Sequence, residues 1–461
     1  MDYKKIAYEK QNAIVKDLQD WVGCGSVYDE STITEEHPFG LGVSNALEWV
    51  ANKAEKDGFT VERCDGYCTE ITYGNKEGLV LVLGHADVVP VGTGWNHAPF
   101  GGEVVGDLMF GRGTSDDKGP TLAAYYALKI IKELKIPTKR KIRIVVGGNE
   151  ERGSLCLHHY FEEMHKPHPD FGFTPDADFP LIYGEKGIMT YDYFGEIEDN
   201  VIISLEGGVA TNSVPASASA VLKGIYDFEK EFEEFNAKYG VHGIYEIKDG
   251  NTYLTFFGKA SHGAFPEGGV NALAFMIKFI GRYTESRLCS HFGRKLDCYY
   301  GRHLGVDFDG PAMGKLTMNL GLGKYMEGKY HLLLNFRYPI DMDYDNLIAK
   351  LEENILDDGK IIVDSKPLYV NPESKFIQIL LKVYQDVSGD LASKPMTIGG
   401  GTYARHTKNT VAYGMEFPVH RGSGNIHSPD EALNIYDLLD GVAIYTKALV
   451  ELANLDDETK K

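Results

Sequence analysis

Five short stretches of this 461-residue chain hold side chains whose types and spacing could do chemistry. The first is His85-Ala86-Asp87, at the end of an apolar run from Gly78 to Leu83. A histidine followed two residues on by a carboxylate can ligate a cation while the carboxylate fixes its tautomer. The same tripeptide also describes a strand-end histidine bonded to backbone. The second is Gly111-Arg112-Gly113-Thr114-Ser115-Asp116-Asp117-Lys118-Gly119-Pro120, whose glycines and proline mark a tight loop before a helix. An aspartate there can cap the helix or offer its two oxygens to two cations. The third is Glu150-Glu151. Adjacent carboxylates repel unless a cation or a proton separates their roles. One can ligate while the other accepts a proton from water, although a solvated turn would look the same. The fourth, Thr174-Pro175-Asp176-Ala177-Asp178, reads as turn chemistry when taken alone. The fifth, Gly424-Asn425-Ile426-His427-Ser428-Pro429-Asp430-Glu431, holds a lone histidine.

Together these stretches say more than each does singly. They supply His, Asp, Glu, Asp and His, the nitrogen and oxygen donors that two zinc ions take. One glutamate is left over to handle the proton of a water. A co-catalytic pair needs about this many ligands, with one carboxylate bridging ions ~3.5–4 Å apart.

The elements that must position these groups can be read from periodicity. Residues 1 to about 22 carry helical periodicity through Ile6, Ile14, Leu18 and Trp21, and residues 42 to 57 do so through Val43, Leu47, Val50 and Ala51. Gly78 to Leu83 fits a strand buried on both faces, residues 119 to 135 a helix, and Lys141 to Val146 a second strand running into Glu150-Glu151. Strands alternating with helices imply an α/β domain with a mostly parallel sheet flanked by helices. Chemistry in such sheets gathers beyond the carboxyl ends of the strands, which is where the polar clusters fall. After about Gly187 the texture changes. Strand-like segments recur at Met189–Tyr193, Val201–Leu205, Tyr253–Gly258 and Leu332–Tyr338, with helical segments at Ala272–Tyr283 and Tyr344–Leu356. This predicts an inserted α+β domain. The expected division is 1–187 for the first part of the catalytic domain, 188–380 for the insertion and 381–461 for the second part.

Bulk composition narrows the function classes. The net charge of −20 repels phosphate backbones, so neither nucleic acid nor an anionic membrane is an expected partner. With 43% hydrophobic and 25% charged residues the chain reads as globular. No run approaches the ~18 apolar residues of a membrane helix, and no apolar signal region follows Met1-Asp2-Tyr3-Lys4-Lys5, so a cytoplasmic protein is expected. The six cysteines read as reduced thiols, since Cys64 and Cys68 have no second pair to complete a zinc ribbon.

The clusters resemble the zinc aminoacylase–carboxypeptidase–dipeptidase superfamily, and within it bacterial PepV-type dipeptidases. The resemblance runs through Gly84-His85-Ala86-Asp87-Val88-Val89-Pro90, the Gly111–Pro120 loop and Phe171-Gly172-Phe173-Thr174-Pro175-Asp176. It continues through Gly258-Lys259-Ala260-Ser261-His262-Gly263, Gly399-Gly400-Gly401-Thr402-Tyr403-Ala404-Arg405 and His427. It implies two divalent ions, Zn2+ with Mn2+ or Co2+ as alternatives. Asp116 would bridge them, with Glu151 and His427 completing one site and His85 and Asp176 the other. Glu150 would be the general base and later the acid, and Asp87 would orient His85. The insertion would be a lid. From it His262 would donate to the oxyanion, and Asn212 and Arg337 would hold substrate, Arg337 through its C-terminal carboxylate. Gly400 and Gly401 would offer backbone N–H groups.

The activity so implied is metal-dependent hydrolysis of dipeptides by a metallopeptidase acting as a monomer, with a homodimer as the alternative. A deacylase of N-acyl amino acids or a non-catalytic relative would share the ligand set. Asn149 stands where the family carries an acid, and the His/Arg/Tyr-rich segment Ser286 to Asp309 matches no family motif.

Overall fold

Leu79 to Leu83 is apolar at every position, and only a strand covered on both faces buries such a run. In the computed structural model, which describes residues 1–456, it forms the strand Leu79–His85, buried throughout. It lies between Lys141–Gly147 and Phe171–Thr174, parallel to both, and Thr410–Ala412 adds a further parallel strand beyond Phe171–Thr174. Outside Lys141–Gly147 the pairing turns antiparallel, through Cys68–Tyr73 and then Thr60–Cys64. The helices Lys118–Glu133 and Ile435–Asn454 pack on each other and on the central strands, while Leu41–Lys56 packs on the antiparallel pair. Residues 1–22 form two helices, Tyr3–Glu9 and Gln11–Val22, with the break at Lys10.

The chain divides into two compact units. The first comprises Met1–Gly184, Tyr369–Thr397 and the chain from Gly401 onward; the second comprises Glu185–Leu368 and Ile398–Gly400. The helix Lys375–Ser388 belongs to the first, where Phe376, Ile377 and Leu380 join the core. The second unit is therefore shorter at its C-terminal end than the 188–380 segment read from sequence texture.

The second unit is built on an eight-stranded antiparallel sheet. Its order is His242–Lys248, Asn251–Phe257, Ser217–Lys223, Ile202–Gly207, Thr317–Met326, Lys329–Tyr338, Gly187–Glu196 and Asp358–Ser365. Alternation gives the sheet its buried face. In Ser217–Lys223, for instance, Ala218, Ala220 and Leu222 are buried while Ser217, Ser219 and Lys223 are exposed. Leu273, Met276, Ile277 and Ile280 of the helix Ala272–Tyr283 share the core with that face.

One close approach ties the first unit's sheet to the helix behind it. Gly84 lies against Thr121, and a Cβ at Gly84 would collide with the Thr121 hydroxyl. That hydroxyl donates to Asp117 Oδ2 at 2.8 Å, and the same oxygen accepts the His85 amide at 3.1 Å. Gly84→Ala should therefore lower the unfolding free energy by roughly 1–3 kcal/mol, as overpacking does, read from the shift of a denaturant midpoint. Adding Thr121→Ala should recover part of that loss, because it removes the colliding atom.

Candidate active site

His85 ends its strand, Glu150 and Glu151 follow Lys141–Gly147, and Asp176 follows Phe171–Thr174. The three strands are parallel neighbours, so these groups meet beyond one edge of the sheet. Asp116 arrives from the loop before the helix Lys118–Glu133. Its Oδ1 stands 3.1 Å from His85 Nε2 and its Oδ2 3.0 Å from His427 Nε2. Asp176 Oδ2 is 3.6 Å from His85 Nε2, and Glu151 Oε1 is 3.2 Å from His427 Nε2. Two triplets of donor atoms result, His85–Asp116–Asp176 and Asp116–Glu151–His427. Within each, all three atoms lie inside 4.8 Å of one another, and Asp116 is shared.

The protonation balance shows how negative this volume is. Burial pushes Glu150 well above the usual carboxylate range, and Asp176 and Glu151 add to that. Burial raises Asp176 too, with Asp116 adding to it. Asp116 moves the other way, because the hydrogen bonds from His427 and His85 outweigh its burial. Asp116 and Glu151 together hold a proton on His427 up to about 11. A field that retains a proton so strongly also attracts a divalent cation, and the oxygen and imidazole donors suit zinc or another borderline ion. The residues present thus fit metal ions at both triplets.

Asp87 plays a part its spacing did not announce. His85 Nδ1 donates to the Asp87 carbonyl oxygen at 3.0 Å, while the Asp87 carboxylate lies 3.4 Å from the same nitrogen. The two carboxylate oxygens accept the amides of Glu150 at 3.0 Å and Glu151 at 3.1 Å. Asp87 therefore fixes the His85 tautomer mainly through its backbone and pins the glutamate pair with its side chain. The two aspartates of the Gly111–Pro120 loop also diverge. Asp116 enters the cluster, while Asp117 turns toward Thr121 and the His85 amide.

Glu431 had no role in the sequence reading. It is fully buried, and its Oε1 accepts the amides of Gly113 at 3.0 Å, Ser115 at 3.0 Å and Asp116 at 3.2 Å. Its Oε2 takes Arg112 Nη1 at 2.6 Å. A short antiparallel pairing brings it there: Ala432–Asn434 pairs with Leu108–Phe110, just before the loop. A glutamate four residues after a histidine carries no periodic signal, and the signal that finds it is the loop's row of backbone donors.

The remaining predicted residues lie elsewhere in the chain. His262, Asn212, Arg337 and Gly400 belong to the second unit, Gly401 to the first. Within the second unit Asn212 and His262 are neighbours. Ser213 and His262 form a β-bridge, and Gly263 N donates to Asn212 O at 2.7 Å. Ala264 N donates to His262 Nδ1 at 3.2 Å, so in the neutral ring the proton sits on Nε2. The buried Asn319 holds this corner. Its Nδ2 donates to Ser213 O at 2.9 Å and Thr211 O at 3.3 Å, while its Oδ1 accepts from Asn271 at 3.1 Å. Arg337 is buried, donating from Nε to Asn335 Oδ1 and from Nη1 to Gly399 O, both at 2.9 Å.

Comparison with known proteins places the chain in a family. The model of peptidase family M20/M25/M40 matches residues 81–451. YtjP of Bacillus subtilis (strain 168), whose name marks its dipeptidase assignment as provisional, is 34% identical over 467 residues, covering 98% of this chain and 100% of that protein. A β-Ala-Xaa dipeptidase of Lactobacillus delbrueckii subsp. lactis is 33% identical over 477 residues, covering 99% of both. The crystal structure of human carnosine dipeptidase 1 shares the fold, with a TM-score of 0.60, 14% identity and 98% of each chain covered.

The buried Glu431–Arg112 pair carries its own expectation. Glu431→Ala leaves a guanidinium and three amides without their acceptor, and breaking a buried pair from one side costs about 3–5 kcal/mol. Equilibrium denaturation should show a loss of that order. Glu431→Gln, which keeps one acceptor oxygen, should lose less.

Proposed function

This chain belongs to peptidase family M20/M25/M40 and hydrolyses peptide bonds, and from that premise we propose that its substrates are dipeptides and that its cluster holds two divalent ions sharing Asp116. The observation that carries the proposal is the pair of donor triplets with one common carboxylate. The β-Ala-Xaa dipeptidase, similar along its whole length, supports the dipeptide class and makes a β-alanyl N-terminal residue one of the substrates to try. Zn2+ is the proposed ion, with Mn2+ and Co2+ as alternatives.

On this reading His85 and Asp176 ligate one ion, Glu151 and His427 the other, and Asp116 both. Such a pair, when bound, polarises a carbonyl and lowers the pKa of water. The chain's own groups do the rest. Among the described residues no histidine bonds the Glu150 carboxylate, unlike that of Glu151, and Glu150 is assigned as the base. It is assigned to take a proton from the attacking water and return it to the leaving amine nitrogen. Asp87 keeps Glu150 in place through its amide, so the base cannot drift from the ligand beside it. His262, whose Nδ1 accepts the Ala264 amide, is assigned as donor through Nε2 to the carbonyl oxygen as that atom gains charge. Asn212 and Arg337 are assigned to the substrate, Arg337 to its carboxylate, and Gly400 and Gly401 supply backbone donors.

Four measurements test the scheme. Glu150→Gln should retain about two ions per chain by metal analysis yet lose most turnover; an active Glu150→Gln enzyme refutes the base. Asp116→Ala should lose both ions together, and two tightly held ions in that variant would show that it is not the shared ligand. His262→Ala should lower kcat by about 10²–10³ with metal content unchanged, the cost of one oxyanion donor; a normal kcat with altered KM removes it from that role. Parallel assays of dipeptides, β-alanyl dipeptides and N-acetylated amino acids, with each metal in turn, should favour the unblocked dipeptides; a preference for the acylated substrates would make the enzyme a deacylase.

A further inference from the structure

The segment Ser286 to Asp309 takes no part in the proposed chemistry, and its charge runs against that of the chain. Of the twelve arginines in the sequence, Arg63, Arg112, Arg140, Arg143 and Arg421 each face a carboxylate. Among the described residues, Arg282, Arg287, Arg294 and Arg302 face none, although acids outnumber bases by 20. Arg152, which lies over the Tyr28 ring, faces none either, but the other four fall together between residues 282 and 302.

The fold turns part of that stretch into a concavity. The helix Ala272–Tyr283 packs on the short helix Arg287–Phe292, so closely at Gly281 and Gly293 that a Cβ on either would press on the Cys289 carbonyl. Beside this contact lies a cavity of about 580 Å³ whose wall includes Lys278, Arg282, Arg294, His303 and the ring of Tyr239. Two of these groups share an acid, Asp297. It binds Lys278 Nζ, takes His303 Nδ1 at 3.2 Å and so is engaged by those two. Lys278 also lies 4.8 Å from the Tyr239 ring centroid. Arg282 sits over Tyr283, and Arg294 makes no ion pair or hydrogen bond among the described residues. Two guanidinium groups therefore stand at the cavity with their charge unmatched.

We infer that this cavity is a binding site for a small polyanion. Its volume is within the ~300–1,000 Å³ of small-molecule pockets. A guanidinium presents paired N–H donors that fit phosphate or carboxylate oxygens two at a time, and does so without giving up its charge. Two such forks with His303 beside them suit a ligand with at least two anionic groups, and the Tyr239 ring offers an apolar surface to any body those groups are attached to. The shared chemistry is multiple oxyanions on one small molecule, either phosphates or carboxylates. The site is built wholly within the second unit and shares no residue with the metal cluster.

The test is calorimetric titration of the full-length, metal-loaded protein at low ionic strength with inorganic pyrophosphate in one arm and citrate in the other. Both anions also chelate divalent ions, so wild type is compared at equal metal loading with the double variant Arg282→Ser/Arg294→Ser and with Lys230→Ser, an exposed cation on another helix of the same unit. Saturable one-to-one binding that weakens at least tenfold in the double variant and not in Lys230→Ser supports the site, and the tighter arm names the oxyanion. Binding of equal strength in all three proteins would place the anion at the metals, and no saturable binding in either arm would leave the arginines merely solvated; either result overturns the inference. Melting curves of the variants that match wild type exclude misfolding as the cause of any loss.

Discussion

Everything in the first unit answers to one electrostatic problem: several carboxylates are gathered into a volume a few ångströms across. Asp116, Glu151 and Asp176 contribute ligand-distance oxygens, and Glu150 and Asp87 crowd behind them. Like charges at this spacing cost several kcal/mol in a partly dry medium unless protons, cations or oriented donors offset them. The protein supplies the donors. Asp87 receives two amides, Glu431 three and a guanidinium, and Asp117 one amide and a hydroxyl. What is left unbalanced is the inward-facing set around Asp116, and the two histidines there are the groups a cation would share it with.

Parallel strands make that arrangement possible. Their carboxyl ends lie together, so three separate stretches of sequence deliver their polar residues to one edge without any of them crossing the sheet. The remaining two contributors, Asp116 and His427, sit on loops, and loops need holding. Glu431 holds the first of these, and it can do so only because the pairing of Ala432–Asn434 with Leu108–Phe110 draws a late segment of the chain beside an early one. The same backbone hydrogen bonds that build the small sheet thus set the position of the shared aspartate.

Much of this was legible in the sequence, for a physical reason. A ligand must present a particular atom type at a strand end or helix start, and residue type and local pattern are what a sequence displays. The donor types of the five stretches were read that way; the choice of His85, Asp116, Glu151, Asp176 and His427 among them came from the family resemblance, and their donor atoms lie together in two triplets. Glu431, Asn319 and the contacts of the Asp87 carboxylate with the Glu150 and Glu151 amides were not found, because they act on backbone groups. Any segment has amides and carbonyls, so nothing in the partner's sequence marks it as the place a side chain will reach. The C-terminal end of the insertion was less legible for a related reason. The helix Lys375–Ser388 is amphipathic whichever core receives it, and only tertiary packing assigned it to the first unit.

The second unit handles polarity by the opposite means. Where the carboxylate cluster concentrates charge, the hydrogen bonds described at the corner of Asn319 and His262 join neutral groups: the Asn319 and Asn271 amides, the Ser213 and Thr211 carbonyls and the Ala264 amide. Neutral networks of this kind cost little to bury when every member is satisfied, and they fix geometry without shifting with pH. A ring held in one tautomer, as His262 is by the Ala264 amide, benefits from that. If a carboxylate rather than the Ala264 amide faced His262 Nδ1, Nδ1 would become the proton-bearing nitrogen and Nε2 an acceptor, unable to answer a developing negative charge. The backbone amide at Nδ1 thus leaves Nε2 as the proton-bearing nitrogen of the neutral imidazole.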